Sequence, residues 1–102
     1  MAALEWRPQA LKDLEEIEAY YERVAPDYAA FFVEQVFDKA DQLEHFPRMG
    51  RMVPEIEDEA IRELIYRDYR IIYFVGASDE EVAVLTVIHS AQQFGSLDFD
   101  DE

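Results

Sequence analysis

Leu11, Leu14, Ile17, Tyr21 and Val24 recur at spacings of three and four residues, with Lys12, Asp13, Glu15, Glu16, Glu18 and Glu22 on the remaining faces. That period predicts an amphipathic helix opening at Pro8, since proline suits the first helical position. Ahead of it, Leu4 and Trp6 alternate with polar neighbours, the pattern of a short strand over residues 3–7. Pro26 opens a second helical pattern. Ala29, Phe32, Val33, Val36, Ala40 and Leu43 share one face, Phe37 and Phe46 flank it, and Glu34, Asp38, Asp41 and Glu44 point away. Pro47 and Gly50 end it. The tight break at Ala25-Pro26 makes the two helices a hairpin.

The period changes in the last third. Residues 48–60, with Pro54 and the acids Glu55, Glu57, Asp58 and Glu59, are expected to form a polar, exposed connection. Carboxylates without the glycine-containing spacing of a calcium loop are read as solvated rather than metal-binding. Runs rich in β-branched and aromatic residues then predict strands near 61–67, 70–76 and 82–89, with a turn cluster at Gly76 to Glu81. The expected fold class is α+β: an N-terminal strand, a two-helix hairpin, then a three-strand antiparallel meander. The helices pack on one sheet face and the first strand joins the same sheet.

Composition narrows the function classes. The 102 residues suffice for one domain, expected over 1–91, with an acidic tail over 92–102 expected to fray. A hydrophobic content of 50%, with 14% aromatic, supports a packed core rather than a disordered chain. There is no cysteine, which removes disulfides, thiolate metal sites and a cysteine nucleophile. No metal or cofactor motif is present, and no apolar run approaches the ~18 residues of a membrane span. No secretory signal opens the chain, so a cytoplasmic protein is expected. Acidic residues number 24 and basic residues 9, for a net charge of −15. Such a charge repels nucleic acid, so direct nucleic-acid binding across the surface is not expected. Adaptation to a high-salt cytosol is one account of it, and an acidic mesophilic surface the other. Self-association stays open. The cations Arg48, Arg51, Arg62, Arg67 and Arg70 crowd the middle of the chain, and none follows Arg70. An anion site, if present, belongs there.

Four local patterns bear on identity. Trp6, Pro8, Ala10, Asp13 and Leu14 form W-x-P-x-A-x-x-D-L. Phe46-Pro47-Arg48-Met49-Gly50-Arg51 forms F-P-x-x-G-R. Arg62-Glu63-Leu64 is followed by Tyr69-Arg70-Ile71-Ile72-Tyr73, and a last strand, Val84 to His89, ends in histidine. In this order, over residues 4 to about 90, they resemble the RelE/ParE superfamily, the toxins of type II toxin–antitoxin (plasmid stabilisation) modules. The long hairpin and F-P-x-x-G-R lean towards its ParE-like branch. Unlike many relatives, the chain follows His89 with Ser90, Ala91, Gln92 and Gln93 rather than arginines.

The resemblance implies a cognate antitoxin as partner and one of two targets. In a ParE-like protein the target is DNA gyrase and there is no catalysis. In a RelE-like one it is the ribosome: mRNA is cleaved, Arg62 and Arg70 stabilise the scissile phosphate, His89 moves a proton, and Glu55 is a further base candidate. A non-toxic interaction domain on the same scaffold is the third reading. Arg51, Arg62, Arg70 and Tyr69 are the candidate contacts to an anion or target. Arg62 and Arg70 share one sheet side only if the hairpin register allows it. The bland alternatives pair Arg70 with Glu63 or Asp68, and tie Arg51 to the end of the second helix. Tyr28, Phe31 and Phe32, as apolar residues of the hairpin, are the candidate antitoxin contacts.

Overall fold

The computed structural model describes residues 1–91, so the acidic tail expected over 92–102 lies outside the described residues. Strand β1 (Ala3–Trp6) leads through Arg7 into helix α1 (Pro8–Val24), and Ala25 alone separates it from α2 (Pro26–Asp41). Both helices carry their proline in the first turn, where the missing N–H costs nothing. A single 3₁₀ turn, Gln42–Glu44, follows α2. Four further strands complete the chain: β2 (Arg51–Met52), β3 (Ile61–Tyr66), β4 (Tyr69–Val75) and β5 (Glu81–His89).

The sheet order is β1-β5-β4-β3-β2. The meander is antiparallel as expected, but β1 pairs with β5 in parallel, so the sheet is mixed. Parallel neighbours need a crossover, and the hairpin supplies it. The two-residue β2 departs from the irregular connection expected there. It was hidden in the sequence because two residues carry no readable alternation.

Alternation sorts the sheet residues into two faces. Leu64, Tyr69, Ile71, Tyr73, Val82 and Val84 face the helices and bury Phe32, Val36, Ala40, Ala10 and Leu14 with them. Along α2 the predicted stripe holds. Along α1 it is shifted: Ala10 and Leu14 are buried, while Leu11 and Val24 remain exposed. Asp13, expected on the solvent face, instead accepts hydrogen bonds from the Thr86 hydroxyl and, at 3.2 Å, from the Val87 N–H. The ladder jumps there from Ile72–Thr86 to Tyr73–Val84, leaving Leu85 as the extra residue of a bulge. Asp13 therefore fastens α1 to the irregular part of β5.

The opposite sheet face is partly covered by the connection. Val53 is fully buried there with Ile72 and Ile88, and Ile56 packs beside it, so the stretch is not the wholly exposed loop expected. Gly50 ends the approach to β2. A Cβ on it would run into the Glu63 carbonyl and lie 2.7 Å from the Tyr73 hydroxyl, which accepts the Gly50 N–H at 2.9 Å. Glycine is required by this close approach. Tyr73→Phe should cost about 1–3 kcal/mol in urea unfolding, because it leaves that buried N–H without an acceptor.

Candidate functional site

Arg70 stands on the sheet face away from the helices, opposite Ile65 in the ladder and two rows from the Glu63–Ile72 pair, hence on the same face as Glu63. Its guanidinium is almost wholly committed within the protein. Nε donates to Glu63 Oε1 at 2.6 Å, and Nη1 and Nη2 donate to the two carboxylate oxygens of Glu55 at 3.0 and 2.8 Å. Arg51, directly opposite Glu63 in the β2–β3 pair, donates its Nε to Glu63 Oε2 at 2.5 Å. The result is a chain Arg51–Glu63–Arg70–Glu55, two cations and two anions, with Glu63 only 1% exposed at its centre.

Such a row can exist only because its charges cancel, since an isolated buried charge is prohibitively costly. The fork-to-fork contact is the strongest geometry available to an arginine and a carboxylate. It raises the pKa of Arg70 further above its ordinary range. It also holds Glu55 down, from the ordinary value near 4.5 to about 2, chiefly through the Arg70 hydrogen bonds against an opposing burial effect. A carboxylate so depressed is a poor general base. The sign follows directly: the folded state favours ionised Glu55, so its contribution to stability is complete above pH 4.5 and is lost as the pH falls towards 2. The side chain is 43% exposed, so solvent screening reduces this to about 1 kcal/mol. Acid titration of wild type and Glu55→Gln should show the variant with a shallower loss over that window.

The other predicted site residues do not join this cluster. Arg62 belongs to the alternate face, opposite Tyr73. Its Nη1 donates to the Gly50 carbonyl at 2.7 Å and its Nε to the Glu59 carbonyl at 3.1 Å, which pins the connection. The hairpin register thus separates Arg62 and Arg70 onto opposite faces. His89 pairs with Tyr69 on the helix side, where its ring meets Tyr69 edge-on at 5.3 Å and its Nδ1 accepts the Ala91 N–H. It stands four ladder rows from Arg62, about 13 Å along the strand. Arg62, Arg70 and His89 are therefore not brought together around one phosphate. Arg51 ties β2 to Glu63, not the connection to α2.

Tyr69 is 8% exposed, with its hydroxyl 3.4 Å from that of Tyr21, and burial pushes its pKa up. It has no free face for stacking on a target. Of the three hairpin aromatics, Phe32 is fully buried between Tyr21, Tyr66 and Tyr69 and is a core residue. Phe31 is 46% exposed and Tyr28 half-buried, so these two remain at the surface. Beside them the Arg67 guanidinium lies over the rings of Tyr28 and Tyr66, 5.9 and 5.6 Å from their centroids. The pairing of Arg70 with Glu63 is one of the two alternatives read from the sequence; what the sequence does not show is that Glu63 is buried and also takes Arg51.

The helical hairpin on a five-stranded sheet shares its fold with solved toxins of toxin–antitoxin systems. The described fold superposes on a chain of the chromosomal ParDE toxin–antitoxin system from P. aeruginosa with a TM-score of 0.72. That match has 23% identity and covers 87% of this chain and 96% of the other. It also superposes on the isolated E. coli RelE toxin with a TM-score of 0.63, at 18% identity over 94% of this chain and 92% of that one. In sequence, residues 4–94 match the family described as the ParE toxin of the type II toxin–antitoxin system parDE. Y4kP of Sinorhizobium fredii (strain NBRC 101917 / NGR234), whose name places it among toxins, is 36% identical over 93 residues, 89% of this chain and 91% of its own. The chain belongs to the ParE toxin family.

Proposed function

We propose that this chain is a non-catalytic toxin that inhibits DNA gyrase and is neutralised by a cognate antitoxin. The observation that carries this is the engagement of Arg70 by Glu55 and Glu63, on the sheet face opposite Arg62 and His89. A phosphate approaching Arg70 would have to displace two carboxylates already in place, and the neighbouring Arg51 is itself engaged by Glu63. The net charge of −15 adds a further barrier to RNA.

The antitoxin reading is supported by the family itself and by the P. aeruginosa relative, described as a ParDE toxin–antitoxin system. Tyr28 and Phe31 are the hairpin contacts that the fold leaves accessible. A segment binding so acidic a surface is expected to be rich in lysine and arginine.

Induced expression without antitoxin tests the proposal, with growth, plasmid supercoiling and protein synthesis followed together. Growth arrest with lost supercoiling and continuing translation is expected. Arg62→Ala and His89→Ala should arrest growth as wild type does. Early translation failure with cleaved mRNA, abolished by either substitution, would establish the ribosome-dependent nuclease instead.

A further inference from the structure

Most of the arginines are matched to a carboxylate or carbonyl oxygen within the described residues. Arg7 approaches Glu5, Arg48 meets Asp79, Arg51 and Arg70 share Glu63, and Arg62 donates to backbone carbonyls. Arg23 and Arg67 differ. Neither forms an ion pair among the described residues, although acids outnumber bases 24 to 9. Each lies over tyrosine instead: Arg23 over Tyr20 at 5.8 Å, and Arg67 over both Tyr28 and Tyr66. The rings connect the two cations. Tyr21 stands 5.2 Å from Tyr20 and 5.0 Å from Tyr28, and Phe31 lies 6.0 Å from Tyr28. The end of α1, the start of α2 and the β3–β4 turn thus build one aromatic surface that carries two cations. Tyr20 and Phe31 are about half exposed on it.

We infer that an aspartate or glutamate of the antitoxin segment pairs with Arg67 on this surface, while apolar neighbours of that acid lie on Tyr20 and Phe31. The inference rests on the antitoxin reading above and adds the chemistry of its anchor. The first support is how Arg67 is held. It is the first residue of the two-residue turn between Tyr66 and Tyr69, with φ of 54°. That conformation favours glycine, and an arginine occupies it at a backbone cost. The turn places the guanidinium over two rings, with Nε donating to the Tyr66 hydroxyl at 3.3 Å. The side chain is exposed, and its Nη groups have no acceptor among the described residues. Aromatic rings steady a guanidinium without neutralising it, so those donors stay available to a carboxylate. An arginine already held in place loses little further freedom on pairing.

The second support is charge. A chain of net charge −15 repels carboxylates over most of its surface and attracts a basic segment. Arg67 and Arg23 reverse that rule at one end of the molecule. A segment of lysines and arginines alone would be repelled there, whereas one acid in a basic segment fits there and nowhere else nearby. Such a lone reversal fixes the register of the whole segment and rejects segments that lack it.

The probe is the protein encoded by the reading frame neighbouring this chain's gene, titrated against the full chain by calorimetry. Arg67→Gln should weaken the complex about 10–100-fold, the loss expected for one charge-assisted contact. The same variant should melt within about 3 °C of wild type, since the side chain is exposed. Lys39→Gln, which removes the same charge from the last turn of α2, should change the affinity less than about threefold. Arg67→Glu should bind weaker still, and one replacement of an Asp or Glu of the probe by Lys should restore its binding. Arg67→Gln within about threefold of wild type would overturn the inference. An equal loss in Lys39→Gln would do so too, as would failure of every lysine replacement to restore binding to Arg67→Glu. A wild-type chain that forms no complex at all would remove the antitoxin reading itself, and this anchor with it.

Discussion

Glu63→Gln is expected to lower the unfolding free energy by about 3–5 kcal/mol, a large share of the roughly 5–15 kcal/mol that holds a domain of this size. The Glu63 side chain is inaccessible to solvent, and its two oxygens each take one arginine Nε, from Arg70 and Arg51. Loss of its charge leaves the buried guanidinium of Arg70 balanced by Glu55 alone, and the exposed Arg51 without its partner. Much of the cost is therefore the penalty on what remains. A double variant, Glu63→Leu with Arg70→Met, is expected to be more stable than Glu63→Gln by at least about 1 kcal/mol, because well-packed apolar residues can replace a buried ion pair at little cost. Urea unfolding of the three proteins decides the matter. A Glu63→Gln variant within about 1 kcal/mol of wild type would mean that the carboxylate is not held between two arginines in solution.

Phe32→Ala carries a comparable expected loss, about 3–5 kcal/mol, for a different reason. The ring has no exposure and packs at centroid distances of 5.1 to 5.9 Å against Tyr21, Tyr28, Tyr66 and Tyr69. Truncation opens a cavity where α2 meets β3 and β4. Phe31→Ala, one residue away, should change stability by no more than about 0.5 kcal/mol, since its ring is half in solvent. The pair separates folding from recognition. If Phe31→Ala weakens antitoxin binding at unchanged stability, the exposed face of α2 is a contact surface. If Phe32→Ala leaves the melting temperature unaltered, the core assignment of that ring fails.

Much of the architecture was legible because it rests on local periodicity. The prolines at 8 and 26 mark both helix starts, and α2's stripe of Ala29, Phe32, Val36 and Ala40 is the stripe that packs. The β-branched runs of β3, β4 and β5 begin and end within a residue or so of where alternation placed them. Family membership was readable for the same reason, since its patterns are short and lie on these elements. The site was less legible. The sequence places Phe32 both on the apolar stripe of α2 and among the antitoxin contacts; packing of that stripe against the sheet makes Phe32 core and leaves Phe31, off the stripe, at the surface.

By itself, then, the sequence determined the order of all the longer elements, though not the two-residue β2, together with the α+β class, the net acidity and a kinship with toxins, all carried by composition and by spacings of two and of three to four residues. The tertiary structure alone decided which way each charged side chain points. Pairing of β3 with β4 placed Arg62 opposite Tyr73 and Arg70 opposite Ile65, hence on opposite faces, and a shift of one residue would have reversed that outcome. The structure also brought Glu55, fifteen residues from Arg70 in the chain, into a two-pronged contact with it. Register and long-range closure are set by the packing of the whole domain, and no local pattern encodes them.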